Sequence, residues 1–450
     1  MAEAPRELEK GDVMKHMFYL GIPLLIVNLM QNCFSIFEMF LLGKLGVQSL
    51  SAISIIGFIM GPFWSITGGL MAGAIAIISR YSGKKDYTTL KKAIVNTMFA
   101  AYALTAVYAL LVYIFRNGIL TFFGARGLTL ELAGYILPVW LISILNDSGL
   151  YIFFNVLRGT GQIRRHFYLV VMSVVLNTVF EPLFIFGLAG FPKMGLIGAP
   201  LARLISYFIT TVIMICILTR TSSMLKIEKK HLKLDPVFLW KFIKLSMPAA
   251  LSGMISNVAS LSLLKIASRG GDALLATMGI GSRLDNIVNM LCWAVGGSVT
   301  VMVGHNLGAG EVKRAEESAA AGLKIAAVFT TVCFLVYFIF SKWIIGIFST
   351  DPAVINYGSW YLKIIGFFYI LLGIGIMASN TLNGAGDMKT PMIINMIAYF
   401  VFQIPLAFLL YQIPAIGFRS IFIGIAAGFA FQGIAGWAAY KKGKWKSEVL

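Results

Sequence analysis

Charge is what this 450-residue chain has least of: 12% of its residues are Asp, Glu, Lys or Arg, about half the share usual in soluble proteins. With 58% of the sequence hydrophobic, a soluble fold is excluded. Acids are scarcer still, 19 against 37 Lys and Arg, for a net charge of +18. That excess sits in short loops between apolar runs, the pattern of loops facing an anionic leaflet, so nucleic acid is excluded as a partner. The four cysteines, Cys33, Cys216, Cys292 and Cys333, lie inside apolar stretches with no paired spacing, which removes a disulfide framework and a thiolate metal site. His16, His166, His231 and His305 are scattered over the chain, so neither a zinc site nor a catalytic cluster is read. No glycine-rich loop ends in Gly-Lys-Ser/Thr, so bound ATP does not drive whatever this chain does. No cofactor or metal is expected, and without a convergent His/Asp/Ser set no enzyme either.

What is there is a succession of long apolar runs. At about 20 apolar residues per bilayer crossing, the length allows roughly twelve helices. They are placed near 17–42, 51–79, 93–115, 130–157, 166–188, 194–219, 238–264, 275–303, 319–347, 355–381, 390–412 and 415–440. The first run is too long for a signal-peptide core and lacks a cleavage site, so it is read as a retained span. On alternate sides of the twelve spans, 25 Lys and Arg oppose 8, which puts both termini in the cytoplasm of a multi-pass protein of the cell's inner membrane.

The chain repeats itself at an offset of 225: Pro23 matches Pro248, Gly46 matches Gly271, Leu50 matches Leu275 and Gly83 matches Gly308. Asn155, Leu157, Gly159 and Gly161 likewise match Asn380, Leu382, Gly384 and Gly386. These are turn and helix-entry residues in register without a gap. The fold expected is all-α, two six-helix lobes related by a pseudo-two-fold axis along the membrane normal. The divisions are a cytoplasmic segment 1–16, an N-lobe 17–219, a linker 220–237, a C-lobe 238–440 and a basic tail 441–450.

Those turns carry a resemblance. Val303-Gly304-His305-Asn306-Leu307-Gly308-Ala309-Gly310 looks like the loop after the eighth helix of multidrug and toxic compound extrusion (MATE) transporters. Asn383-Gly384-Ala385-Gly386-Asp387 resembles their loop after the tenth helix, and Arg158-Gly159-Thr160-Gly161-Gln162, with Asn177 and Glu181-Pro182-Leu183-Phe184, is similar to the N-lobe counterpart. The resemblance implies an antiporter exporting bulky, often cationic, amphipathic compounds in exchange for protons or sodium.

Ionisable groups at membrane depth cost about 2.5–3.5 kcal/mol each on insertion scales, so each needs a reason. The acids are Glu38, Asp147, Glu181 and Asp285; the bases include Arg203, Arg283 and Lys363. Three of those acids fall in the N-lobe and are leucines at offset 225 (Leu263, Leu372, Leu406). At 1.5 Å per residue, Glu38 lies about 6 Å, Glu181 about 10 Å and Arg203 about 14 Å below the outer surface, and these three are expected to meet. Asn177 stands one turn from Glu181. Asp147 is expected nearer the cytoplasm. Two neighbouring carboxyls that cannot both ionise would form a proton switch. The competing arrangement is a permanent Glu181–Arg203 ion pair with Glu38 alone titrating.

The DinF-like branch of the family resembles this set, with aspartates at the positions of Glu38 and Glu181. This chain departs from it with Gly198-Ala199-Pro200-Leu201-Ala202-Arg203, where relatives commonly read Gly-Ala-Ala-x-Ala-Thr. A guanidinium there disfavours sodium, so protons are the expected coupling ion. In the C-lobe Asp285 is expected to pair with Lys363. Pro23 permits a bend in the first span. Phe34, Phe37, Trp64, Met278, Asp285, Met290 and Trp293 are the candidate cavity lining. The expected function is proton-coupled export of amphipathic organic cations by alternating access, by a monomer in the bilayer. The alternatives are sodium coupling and a lipid-linked precursor flippase, which would use Arg203, Arg283 and Lys363 to hold a pyrophosphate.

Overall fold

Apolar runs of this length can cross a bilayer only as helices, because each backbone group must find its partner within the segment. The computed structural model describes residues 8–220, 225–413 and 416–447. The first seven residues of the N-terminal segment, residues 221–224 of the linker and the last three of the basic tail lie outside them. In the first half the helices are α1 (Val13–Gly43), α2 (Val47–Gly83), α3 (Tyr87–Ile114), the short α4 (Arg116–Phe122), α5 (Gly127–Gly159), α6 (Ile163–Phe186) and α7 (Gly198–Arg220). In the second they are α8 (Pro236–Ala267), α9 (Asp272–Gly308), α10 (Val312–Phe348), α11 (Pro352–Ala385), α12 (Lys389–Ile397), α13 (Ile404–Tyr411) and α14 (Arg419–Lys442). Twelve helical stretches among the described residues are long and apolar enough to span a membrane, α12 and α13 forming one of them.

Two departures from the sequence reading have local causes. The eleventh span is not one regular helix: α12 and α13 are joined by a π-helical segment, Ala398–Gln403. Pro405 follows it, and a proline removes a backbone donor and crowds the preceding turn. Several helices also outrun their apolar segments. α10 begins at Val312 rather than near 319 because Ala315, Ser318 and Ala319 are buried although Lys313, Arg314, Glu316 and Glu317 make the first turns polar.

Contacts divide the chain into two units. In the first, which contains Ile22–Met247, α5 is the central helix and packs against α2, α3 and α7. In the second, which contains Leu8–Gly21 and Pro248 onwards, α11 takes that place against α9, α10 and α14. α5 and α11 start and end at positions about 225 apart, so the sequence repeat is a structural one. Its turns repeat as well: Gly46 (φ 100°) and Gly271 (φ 83°) both enter the next helix through the left-handed half of backbone space.

The boundary between units falls inside two helices. The start of α1 packs in the second unit, where Arg314 Nε donates to the Leu8 carbonyl at 3.0 Å and His305 Nε2 lies 3.0 Å from the Glu9 carboxylate. The start of α8 packs in the first, with Phe242 fully buried in its core. The changeover comes beside Pro23 in α1 and at Pro248 in α8, where a missing hydrogen bond makes a helix easiest to bend.

The apolar core of the first unit is itself in two pieces. One gathers Leu70 and Ile77 of α2, Leu150 and Phe153 of α5, Val174 of α6 and Tyr207 and Met214 of α7. The other gathers Phe63, Leu141, Ile144, Ile185 and Ala199 from the same four helices. Between the two pieces each helix carries polar residues.

Two outcomes follow. A Cβ on Gly384 would lie 2.6 Å from the Thr300 carbonyl oxygen and 3.0 Å from its Cα, backbone atoms that cannot step aside, whereas one on Gly57 meets nothing. Gly384→Ala should therefore lose about 1–3 kcal/mol, read as a lower unfolding temperature in detergent, and Gly57→Ala should lose nothing. At the start of α3, hydrogen bonds from the Thr89 hydroxyl and amide hold the Asp86 carboxyl below its ordinary range. Its capping contribution, about 1 kcal/mol, is complete above the ordinary carboxylate range and fades as pH falls through the lowered value. An Asp86→Ala variant should lie below wild type in thermal stability at neutral pH and converge with it in acid.

Candidate functional site

The seam between the two core clusters holds the ionisable groups. Along α5, Asp147 falls between Ile144 of one cluster and Leu150 of the other; along α7, Arg203 falls between Ala199 and Tyr207. Along α6, Asn177 and Glu181 fall between Val174 and Ile185, and on α1 Glu38 follows Phe34 and Phe37, which pack against one cluster each. Apolar packing above and below leaves a polar layer across four helices of one unit.

α5 and α7 are fastened at this level. The Ser143 hydroxyl donates to the Pro200 carbonyl at 3.2 Å. One turn further on, Arg203 places Nε 2.9 Å and Nη2 2.8 Å from the same oxygen of Asp147. Nη2 also donates to the Tyr151 hydroxyl at 3.3 Å. Aromatic rings surround the guanidinium: Tyr207 at 4.7 Å, and Trp64 and Trp140 each at 5.8 Å, within the range of cation–π attraction. Trp64 in turn stands edge-on to Tyr151 at 5.5 Å. Asp147 is 0% exposed and Arg203 14%.

This excludes the competing Glu181–Arg203 ion pair and corrects the placing of Asp147 nearer the cytoplasm than Arg203. The partner of Arg203 is Asp147, not Glu181. Depths were counted as though every helix began at one plane, whereas α5 has 33 residues and α6 has 24, so a place far along α5 is not necessarily deep. With Asp147 counted, three acids and one arginine leave −2 when all are ionised, and the arginine is already committed.

Glu181 is different. It is 1% exposed, and among the described residues neither carboxyl oxygen has a hydrogen-bond partner; the Oδ1 of Asn177, one turn away, has none either. Glu38, half-buried on α1, is close enough for its charge to act on that of Glu181, and Arg203 acts on both. Glu38, Asn177, Glu181, Arg203 and Asp147 thus belong to one constellation. Trp64 joins it through Arg203. Phe34 and Phe37, 6.5 Å apart, are packing residues of the first unit. Tyr151, Trp140 and Tyr207 were missed, although Asp147/Tyr151 and Arg203/Tyr207 share a four-residue spacing that places each pair on one helix face.

The other candidates lie in the second unit. Met278 and Met290 are half-buried and Trp293 is 59% exposed. Asp285 does not pair with Lys363. Its two oxygens accept from Tyr361 and Tyr369, and the Lys363 ammonium stands 5.9 Å from the Phe338 ring. Opposite charge and similar depth favour that pair but ignore the hydroxyls on α11.

Breaking a buried ion pair leaves a charge uncompensated, at about 3–5 kcal/mol. Asp147→Asn should therefore cost several kcal/mol in detergent unfolding, and Asp147→Asn combined with Arg203→Gln should cost less than the sum of the two. Strict additivity would show that the pair is not the fastening described.

Comparison with known proteins agrees with the repeat. The MatE family matches the chain twice, over residues 23–183 and 248–409, the two matches beginning at Pro23 and Pro248. Among curated proteins, the probable multidrug resistance protein YoeA of Bacillus subtilis is 24% identical over 94% of this chain and 92% of its own length. A Shewanella oneidensis protein named FAD transporter is 26% identical over 86% of each. Among solved structures, a mutant of the Vibrio cholerae MATE transporter VcmN superposes with a TM-score of 0.86 at 23% identity, covering 96% of this chain and 97% of the other. Twelve apolar spans, a doubled architecture and a family match over most of the length lead to one conclusion: this multi-pass membrane protein belongs to the MatE family of multidrug and toxic compound extrusion transporters.

Proposed function

We propose that the protein is a proton-coupled antiporter of the DinF-like branch, exporting amphipathic organic cations across the cell membrane by alternating access, with both termini in the cytoplasm. The observation that carries this reading is the Glu181 carboxyl, buried with no partner on either oxygen beside a second acid, Glu38. An unpartnered ionised carboxylate in such surroundings is costly. The group is stable only when a proton or another cation is bound, and binding that differs between two conformations is what couples an ion to transport. Asp147 supports the reading by taking Arg203 out of play, which leaves Glu38 and Glu181 to exchange their proton for cargo.

The balance of charge also bears on what is carried. An acidic excess of −2 suits a cationic compound. Of the three cations that the flippase alternative would use for a pyrophosphate, Arg203 is neutralised by Asp147.

The test is transport of a fluorescent lipophilic cation into vesicles carrying the purified protein under an imposed pH gradient. Glu38→Gln and Glu181→Gln should each lower gradient-driven uptake about tenfold or more, while Asn177→Ala lowers it less. Full uptake by Glu181→Gln would overturn the mechanism. So would uptake that follows a sodium gradient after the pH gradient is collapsed, which would assign the site to sodium.

A further inference from the structure

The second unit holds a half-buried acid for which the proposed N-lobe switch has no use. Asp285 lies 13 residues after Asp272, the first residue of α9, which places it about 20 Å along the helix axis. Each of its oxygens accepts a hydroxyl from α11: Tyr361 donates to one at 2.6 Å and Tyr369 to the other at 2.5 Å. The arrangement is built around the acid. Gly281, one turn earlier on α9, makes room for the Tyr361 ring, since a Cβ there would come within 2.4 Å of it. Tyr361 is held edge-on by Phe422 at 5.3 Å, and Tyr369 by Tyr337 at 5.9 Å. The Tyr337 hydroxyl donates to the carbonyl of Leu284, next to the acid, at 3.3 Å. The carboxyl thus ties α9 to α11, and α10 joins them at the neighbouring Leu284 carbonyl.

Among the described residues no cation balances it. The titratable groups facing Asp285 are Tyr361 and Tyr369 from α11 and Tyr337 from α10, with Cys333 of α10 and Cys292 of α9 beyond Tyr337. Arg283 is exposed, and Lys363 stands over Phe338. At offset 225 the first unit has Met60, Ile136 and Ile144 in place of Asp285, Tyr361 and Tyr369, so the clamp has no counterpart there.

We propose that Asp285 is a second protonation site, separate from Glu38 and Glu181, whose proton is read by the tyrosine clamp. The ionised carboxylate offers an acceptor to both hydroxyls at once. A proton bound to one oxygen turns that oxygen into a donor, and the tyrosine bonded to it must rotate its hydroxyl to accept or to find another acceptor. Taking up the proton converts one of the two α9–α11 fastenings. The charge of the second unit and the grip of its central helix therefore change together. No covalent bond is made or broken other than O–H.

Infrared difference spectroscopy of the full-length protein in lipid nanodiscs, titrated between about pH 4 and pH 9, tests this without any transport measurement. Its failure is therefore distinct from failure of the antiport reading. In a Glu38→Gln/Glu181→Gln background, a protonated carboxyl band that grows in as pH falls should remain, together with a change in a tyrosine C–O band. Both should vanish in Asp285→Asn. Tyr369→Phe and Tyr361→Phe each remove a donor that favours the anion, so in them the carboxyl band should persist to higher pH than in the parent. Gly281→Ala, which displaces Tyr361, should act in the same direction. A parent-minus-Asp285→Asn difference that stays flat over the whole range would overturn the proposal and leave Asp285 a fixed anchor. If Asp285→Asn does not fold, the tyrosine variants decide: a band whose position they leave unchanged overturns it equally.

Discussion

A carboxyl group surrounded by hydrocarbon and helix must be given a hydrogen bond, a counter-ion or a proton. The first unit contains one acid for which the fold supplies the counter-ion and one for which it supplies nothing. Asp147 is fully enclosed and bonded to Arg203 from two nitrogens, while Glu181, just as enclosed, has no partner on either oxygen. These two fates occur within one polar layer. The paired acid makes that layer a place where α5 and α7 stay joined. The unpaired one leaves in it a carboxyl without a hydrogen-bond partner among the described residues.

The position of the layer follows from how the unit is packed. Two apolar clusters bind the same four helices on either side of it, so its residues are held by neighbours in sequence that cannot move independently. The glutamates ride on α1 and α6, and α1 continues past Pro23 into the other unit. Glu38 thus sits on a helix whose start is grouped with the second unit and whose hydrogen bonding is interrupted at Pro23. The duplicated scaffold keeps its turns and its central helix in both halves but places different chemistry on them. Asp147 and Tyr151 are carried by α5, whereas α11 carries Tyr361 and Tyr369, which hold an acid belonging to α9.

Much of this was legible in the residues. Runs of apolar side chains gave the twelve spans to within a turn or two, because in a membrane the hydrophobic stretch and the helix are nearly the same object. The 225-residue offset of Pro23 and Pro248, and of Gly46 and Gly271, gave the duplication, since those residues are constrained by backbone geometry and not by exchangeable packing. Glu38, Glu181 and Arg203 stand out because charge at that depth demands explanation, and Asn177 because it lies one turn from Glu181. Pairing was not legible. Whether Arg203 meets Asp147 or Glu181 depends on how far α5 overhangs its neighbours, and composition does not record an overhang. Asp285 was matched with Lys363 because opposite charges attract; that two tyrosines from α11 would take its oxygens requires knowing which face of α11 is turned to α9. The π turn before Pro405 was hidden for a related reason: an apolar sequence that can span as a regular helix reads the same as one that does not.

Proton release on cargo binding measures the central claim most directly. Purified protein in weakly buffered detergent, mixed with a saturating lipophilic cation, should release protons into the medium as cargo displaces them from the glutamate pair, and Glu181→Gln should release markedly fewer while its fold is intact. Cargo binding of normal affinity with no proton released by the wild type, or with undiminished release by Glu181→Gln, would contradict the account.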